Sequence, residues 1–374
     1  MSAIPVEPER DPLPSDPDAE KQGHLRVMTS RRVAIILFNL GGPDSQEAVR
    51  PFLFNLFNDR AIICAPQPMR FLLAQFISRS RAKFARDNYM LMGGASPILP
   101  ETVKQADALE AAIGKRVSNV TFKCFPAMRY WKPFIRDVAR AAEQWGATDA
   151  ILLPLYPQFS TTTTASSLKA WKQASNLPAS TICCYPAGAQ FARAHADAIV
   201  QAWRDAGSPA NPRILFSAHG LPKRIVAAGD SYQWQVEKSV AAVIEALPGE
   251  WDARLCYQSR VGPLEWLGPS TEAEVRNAGR DKVGVIVSPI AFVSEHVETL
   301  VELDIEYAQL AKSAGVSFYI RAPALGAAPR FIDALTDLVE LALKSPGRLQ
   351  SENGGRLCPA QFGLCAQASK RVSE

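Results

Sequence analysis

The chain alternates between short apolar runs and longer stretches of helical spacing. Arg32–Leu40 (RVAIILFNL), Asn119–Cys124, Asp149–Leu155 (DAILLPL), Thr181–Tyr185, Pro212–Ser217 (PRILFS), Ala253–Gln258, Lys282–Ile290 (KVGVIVSPI) and Val316–Ile320 read as strands. Continuous apolar runs of this length, bounded by turn residues, suit strands covered on both faces. Lys132–Trp145, Ser166–Ala174, Phe191–Ala206, Tyr232–Leu247 and Ala328–Leu343 read as helices. Strands alternating with helices predict an α/β fold of parallel sheets flanked by helices. The second half repeats the pattern of the first, so two similar open sheets facing one another is the economical architecture. The expected layout is a disordered tail over 1–30, rich in Pro, Asp and Glu, one domain over 31–165, a second over 166–345 and a polar extension over 346–374.

One stretch departs from ordinary surface patterning. Ala291–Tyr307 (AFVSEHVETLVELDIEY) holds Glu295, Glu298, Glu302, Asp304 and Glu306 without a single Lys or Arg. Wound as an α-helix at about 100° per residue, it stacks the four glutamates within an arc of roughly 80°. Like charges one turn apart repel, so an exposed helix normally answers each Glu with a base. An unanswered row is either a solvated acidic face or a carboxylate ladder that handles cations or protons. His296 stands within it, in a chain with only four His.

A second stretch is apolar where a surface is normally polar. Phe52, Leu53, Phe54, Leu56 and Phe57, then Phe71, Leu72, Leu73, Phe76 and Ile77, lead into Arg79, Arg81, Lys83 and Arg86. An apolar helix with a basic end either packs into the core or lies on a membrane surface or pocket lip. Composition changes little else. The chain has 374 residues, 47% of them hydrophobic and 21% charged, with a net charge of +4. That charge is too small to argue for nucleic acid. No apolar run is long enough to span a bilayer, and the first thirty residues lack the apolar core of a secretory signal. Seven scattered Cys suit a reducing compartment such as the cytoplasm better than a disulfide framework.

Ligands in open α/β sheets bind beyond the carboxyl ends of the strands. Four polar clusters fall at expected strand ends: Asn39–Gly42, Tyr156–Thr164, Ser217–Leu221 and Ser294–Glu298. They can therefore share one cleft. His219 lies at such an end, with Gly220 and Pro222 shaping the bend, and facing the carboxylate row it suits proton transfer or metal handling. HExxH, CxxC, GxSxG and GxGxxG are all missing, so a resident metal of known spacing, acyl transfer and nucleotide binding find no support.

On these residues the chain resembles the ferrochelatases, which insert ferrous iron into protoporphyrin IX. The blocks are LFNLGGP (37–43), GGASP (93–97), MRYW (128–131), LYPQ (155–158), FSAHGLP (216–222), QSRVGP (258–263), WLGP (266–269) and the whole of Pro289–Tyr307. The resemblance implies two Rossmann-like domains across a porphyrin cleft and an ATP-independent lyase of haem biosynthesis. It makes His219 and Glu298 the pair that takes pyrrole protons and handles iron. Glu302 and Glu306 continue the acidic path, with Glu295 and His296 at its mouth. It places Leu40, Arg129, Tyr130, Tyr156, Ser160 and Trp266, with His296, along the porphyrin. The 51–86 region matches a lip with access to the inner face of the membrane. Met90 and Leu91 stand where some members carry Arg, so that propionate partner is absent. Ferrous iron and protoporphyrin are the expected substrates, and a monomer or homodimer the expected state. Coproporphyrin, cobalt and a non-catalytic tetrapyrrole- or metal-binding module are the alternatives.

Some ferrochelatases carry a [2Fe–2S] cluster on C-terminal cysteines plus one after the Tyr-Pro-Gln block. Here the tail offers only Cys358 and Cys365, and the internal position is Thr161. Cys183 and Cys184 fall in an expected strand, where neighbours point to opposite faces, so at most one can join. Two or three sulfurs are short of the four ligands such a cluster takes, so the expectation is an enzyme without one.

Overall fold

The computed structural model of the chain describes residues 31–260 and 264–368. The tail expected over 1–30, and Val261-Gly262-Pro263 of the QSRVGP block, lie outside them. Nine strands form two parallel sheets: β1 (Arg32–Asn39), β2 (Thr121–Met128), β3 (Asp149–Pro154), β4 (Ala179–Ile182), β5 (Pro212–His219), β6 (Asp252–Gln258), β7 (Gly284–Ser288), β8 (Tyr319–Arg321) and β9 (Leu349–Gln350), among the described residues. The first sheet runs β2-β1-β3-β4-β9 and the second β6-β5-β7-β8. Val33–Phe38 are wholly buried. That agrees with their unbroken apolar run, because helices cover both faces of β1. Helices Ile98–Arg116 and Pro329–Lys344 pack on one face of the first sheet. Helices Ile135–Gln144 and Thr164–Ala174 pack on the other. The second sheet lies between Ala189–Asp205 with Tyr232–Ala246 and Thr271–Arg280 with Tyr307–Ala314.

The sheets do not change over at residue 165. β4 pairs with β3, and β9 with β4, so both join the first sheet. The chain crosses in helix Ala189–Asp205, which gives Phe191 and Ala194 to the first core and Ile199 and Val200 to the second. It returns through Pro329–Lys344, and the first residues of the expected extension become β9. Apolar periodicity tells that a strand exists, not which sheet it joins. Helix Ile98–Arg116 has no counterpart in the expected elements. Its buried face includes Thr102, Gln105 and Ala106, which blunt the apolar stripe.

Direct contacts tie the facing ends of the sheets together. After β3, Gln158 Nε2 donates to Ser239 Oγ at 2.8 Å, and Phe159 N to Gln235 Oε1 at 2.7 Å. Ser160 Oγ and the Thr161 amide and hydroxyl all donate to Asp230 Oδ2, at 3.0, 2.7 and 2.6 Å. Gln105 Nε2 donates to the carbonyls of Val293 and Gly326. Gln105 on helix Ile98–Arg116 thus holds the start of the acidic stretch, while Thr102 accepts from Asn39 at the end of β1.

Because Phe331 is wholly buried against the first sheet, Phe331→Ala is expected to cost about 3–5 kcal/mol of stability. Urea unfolding measures this. A loss below about 1 kcal/mol would remove the last helix from that core.

Candidate active site

The strand order β6-β5-β7 sets three loops side by side, and each supplies a polar group to one point. His219 is the last residue of β5, Ser259 follows β6, and Glu298 opens the helix after β7. His219 Nδ1 and Glu298 Oε2 stand 2.7 Å apart. Ser259 Oγ donates to Glu298 Oε2 at 3.2 Å and to Glu302 Oε2 at 2.5 Å, and its amide donates to Glu302 Oε1 at 2.8 Å. Gln258 Nε2 donates to Glu302 Oε2 and to the Glu298 carbonyl. The Tyr307 hydroxyl adds a fourth donor to Glu302. The Ser259 backbone is left-handed, φ +59°. That conformation is costly for a side chain other than Gly and collects at functional sites.

Glu298–Glu306 is not the expected α-helix but a π-helix, with i→i+5 hydrogen bonds. Such turns are rare and concentrate at functional sites. The wider winding alters the expected row. Glu298 and Glu302 both reach Ser259, while Glu306 is exposed. Glu295 leaves the row altogether. Its Oε1 accepts from Arg321 Nη1 at 2.9 Å and from the Ala324 amide, while Arg321 Nε meets Asp304 at 2.5 Å. The acidic stretch has no base of its own, but β8 brings one to it. Arg321 neutralises the flank and leaves Glu298 and Glu302 to the site.

Charges follow this geometry. Burial would raise the Glu298 carboxyl, yet the charge and hydrogen bond of His219, with His296 and Ser259, hold it down to about 2. Burial lowers the His219 imidazole, but Glu298, then Glu302, leave it above its ordinary value. Burial and the Glu298 charge lift Glu302 above the usual carboxyl range despite its donors. Burial keeps His296 below its ordinary value; its Nε2 lies 4.0 Å from Glu298 and its Nδ1 has no partner. Phe292 packs edge-on against His219 and tilted against His296, with ring centroids 6.4 Å and 4.5 Å away. His219 keeps 38% of its side chain open. Among the described residues, no set of three or more His, Cys, Asp and Glu is arranged around one metal position. A groove of about 1000 Å³ beside helix Ala189–Asp205 is lined by none of the expected site residues.

The expected porphyrin contacts divide. Leu40, Tyr156 and Trp266 are half-buried at loops beyond strand ends. Gly220 lets Trp266 close in, since a Cβ there would stand 2.9 Å from the Gln258 carbonyl and 3.4 Å from the indole. Tyr130 and Ser160 are 1% exposed and cannot line an open wall. Ser160 ties the sheets together, and Tyr130 donates to Asp59 at 2.9 Å. Asp59 Oδ2 also accepts from Arg129 Nη2 at 2.7 Å and from Ser166 Oγ at 2.5 Å. It fixes Arg129, whose side chain is 25% exposed. Sequence reasoning missed Asp59, Ser259 and Phe292; the last two sit inside the quoted blocks, and Asp59 carries no local signal. The Tyr89 phenol is raised by burial and then by the Glu298 charge.

Cys183 and Cys184 do not point apart as expected. β4 ends at Ile182, so strand alternation does not govern Cys183 and Cys184, and their sulfurs stand 3.5 Å apart. Cys358 and Cys365 join them, all four 1–6% exposed. The S–H groups of Cys184 and Cys365 turn to Cys358 and draw it strongly toward thiolate, with Ser231 and Gln235 adding to the effect. Gln235 Nε2 donates to Cys358 Sγ at 3.0 Å, and Gln367 Nε2 to Cys183 Sγ at 3.3 Å. Four thiols, two of them with a side-chain N–H donor on sulfur, are the ligand type an iron–sulfur centre takes, although they are not gathered around one point. Gln350, whose carbonyl accepts the Cys183 amide, leaves both side-chain polar atoms buried without partners.

The ferrochelatase family model matches residues 32–343. A ferrochelatase of Caulobacter vibrioides is 54% identical over 339 residues, 90% of this chain and 97% of its own. One of Hyphomonas neptunium is 50% identical over 340 residues, covering 90% and 95%. One of Rickettsia bellii is 46% identical over 344 residues, covering 90% and 96%. Among solved structures, SirB from Bacillus subtilis with Fe3+ superposes with a TM-score of 0.49 at 12% identity, over 83% of this chain and 95% of that one. The chain belongs to the ferrochelatase family.

Proposed function

We propose that this enzyme inserts ferrous iron into protoporphyrin IX without ATP, and that His219 and Glu298 carry the chemistry. The 2.7 Å pair between them, at a strand end and partly open, is the observation that carries the assignment. A porphyrin must lose two pyrrole protons as the dication enters. Glu298, ionised although buried, attracts the cation, and an arriving dication displaces the proton held on His219, because only neutral imidazole binds metal. As the iron passes to the pyrrole nitrogens, His219 is freed and accepts the two pyrrole protons in turn, giving up the first through Glu302 before it takes the second. Glu302, whose pKa lies above the usual carboxyl range, takes protons outward from the pair, and exposed Glu306 is the outermost station. Phe292 and Trp266 offer flat apolar walls to a macrocycle, and Arg129, set by Asp59, offers a propionate partner.

His219→Ala is expected to lose at least tenfold in kcat, about 1.4 kcal/mol of barrier, while porphyrin binding by fluorescence quenching persists. Glu298→Gln should lose a similar amount, whereas Glu306→Gln should chiefly raise the KM for iron. Equal kcat losses at positions 298 and 306 would contradict a path with distinct stations.

The lip supports contact with an anionic membrane surface on the cytoplasmic side. Helix Gln67–Met90 buries only Ala74, Ser78, Ala82 and Tyr89, while Leu72, Phe76 and Phe84 are 65–71% exposed. No helix among the described residues is long and apolar enough to cross a bilayer. Flotation with anionic liposomes should recover the protein at low salt and release it at high salt. Phe76→Ser should weaken recovery; a wild-type level would leave the lip without that role.

Cys183, Cys184, Cys358 and Cys365 would hold a [2Fe–2S] cluster, which supplies a redox-active cross-link between the first sheet and the C-terminal segment. Protein purified without oxygen should contain about two acid-labile sulfides per chain, the number such a centre requires, and Cys358→Ser should lose them. Absence of sulfide in the wild type would leave four structural thiols.

A further inference from the structure

The segment Gly229–Gln235, which runs into the first turn of helix Tyr232–Ala246, touches both the cysteine pocket and the catalytic histidine, and neither contact is needed by the proton chemistry itself. On one side, Gln235 donates to Cys358 Sγ at 3.0 Å, and the Leu364 amide donates to the Gly229 carbonyl at 3.2 Å. Gly229 adopts φ +104°, and a Cβ there would stand 3.2 Å from the Gly363 amide, so only glycine admits this approach. Trp234 packs on Phe362 with ring centroids 5.8 Å apart. On the other side, the Tyr232 hydroxyl donates to the backbone carbonyl of His219 at 3.0 Å. Asp230 and Ser231, between the two contacts, are wholly buried, and Asp230 Oδ1 accepts the Tyr232 amide at 2.9 Å. The path from Cys358 to His219 is therefore Tyr232–Gln235, the first turn of one helix, with the Tyr232 phenol at its end.

We propose that Tyr232 is a positioning residue for His219, and that the segment Cys358–Cys365 holds Tyr232 in place, so that the state of the cysteine pocket reaches the active site through this turn. The inference rests on His219 being the reacting base. The His219 carbonyl is an acceptor at the end of β5, where the strand gives way to the Gly220–Leu221 bend. A donor on it fixes the direction in which the imidazole leaves the strand. Loss of that donor changes aim, not the chemical groups present, so it should act on kcat rather than on binding.

The test uses the full chain, purified without oxygen. Tyr232→Phe is expected to lower kcat about tenfold, with KM for protoporphyrin and ferrous iron within twofold of wild type and an unchanged melting temperature. Phe362→Ala, which loosens the C-terminal segment without touching a cysteine, should lower kcat in the same way, and the double variant should be no worse than the more impaired single one. Amide exchange at Gly220 and Leu221 should accelerate several-fold in both single variants, a readout independent of turnover. Wild-type kcat in Tyr232→Phe, multiplying losses in the double variant, or unchanged exchange in Phe362→Ala would each overturn the proposal. If His219→Ala retains activity, the base assignment fails instead. A dead His219→Ala beside a fully active Tyr232→Phe defeats only the coupling.

Discussion

A buried carboxylate that must stay ionised is the constraint from which the rest of the site follows. Removing a carboxylate from water is expensive unless it is paired and hydrogen-bonded. Glu298 meets that requirement with His219 at 2.7 Å, Ser259 at 3.2 Å and His296 at 4.0 Å. Those partners come from the ends of β5 and β6 and from the loop after β7, so the pairing depends on the parallel order of the second sheet. No local segment could assemble it. Ser259 accepts a left-handed backbone to bring both its amide and its hydroxyl to the two glutamates. The strain is tolerable because the alternative is two adjacent carboxylates without donors.

The π-helix deepens the same logic. In the expected α-helix the four glutamates would stand in one repelling row. In the structure they are sorted by environment: Glu295, still in the loop before the helix, on Arg321, and within the π-helix Glu298 on His219, Glu302 on Ser259 and Tyr307, and Glu306 in solvent. Repulsion that would otherwise destabilise the element now sets a gradient. Glu298 stays ionised while its charge lifts Glu302, so neighbouring groups differ in proton affinity along one element. Such a split between adjacent titratable groups is what proton movement requires.

Much of this was legible from residues. The wholly buried Val33–Phe38 run announced β1, and the placement of polar clusters at strand ends correctly put His219 beside Glu298. What stayed hidden shares a physical cause: each case depends on a partner remote in the chain. Arg321 carries no mark of its ion pairs with Glu295 and Asp304. Thr102 and Gln105 look like breaks in an apolar stripe until the Val293 loop that Gln105 serves is known. Cys183 and Cys184 were read by the alternation of a strand that in fact stops one residue earlier, and only the return of the chain through Pro329–Lys344 and β9 brings Cys358 and Cys365 to them. Tyr130, in MRYW, and Ser160, in a strand-end polar cluster, are both spent on internal ties, because neither signal says what a side chain touches.

The lip shows how one helix serves two opposite demands. Its inward face is made of small residues, Ala74, Ser78 and Ala82, so the helix lies close to its neighbours and its large side chains turn outward. That inverts the usual amphipathic arrangement, and exposed apolar surface of this kind normally marks a contact. The base of the lip is anchored differently. Asp59, just beyond helix Val49–Phe57, binds Arg129, Tyr130 and Ser166 through one oxygen, and Arg70 donates to the Asn58 and Ala65 carbonyls. Polar bonds therefore hold the root rigid while the rim remains greasy. Tyr89, at the far end of the same helix, lies within the field of Glu298. One helix thus carries the exposed apolar rim at Leu72 and Phe76 and, in its last turn, the buried Tyr89.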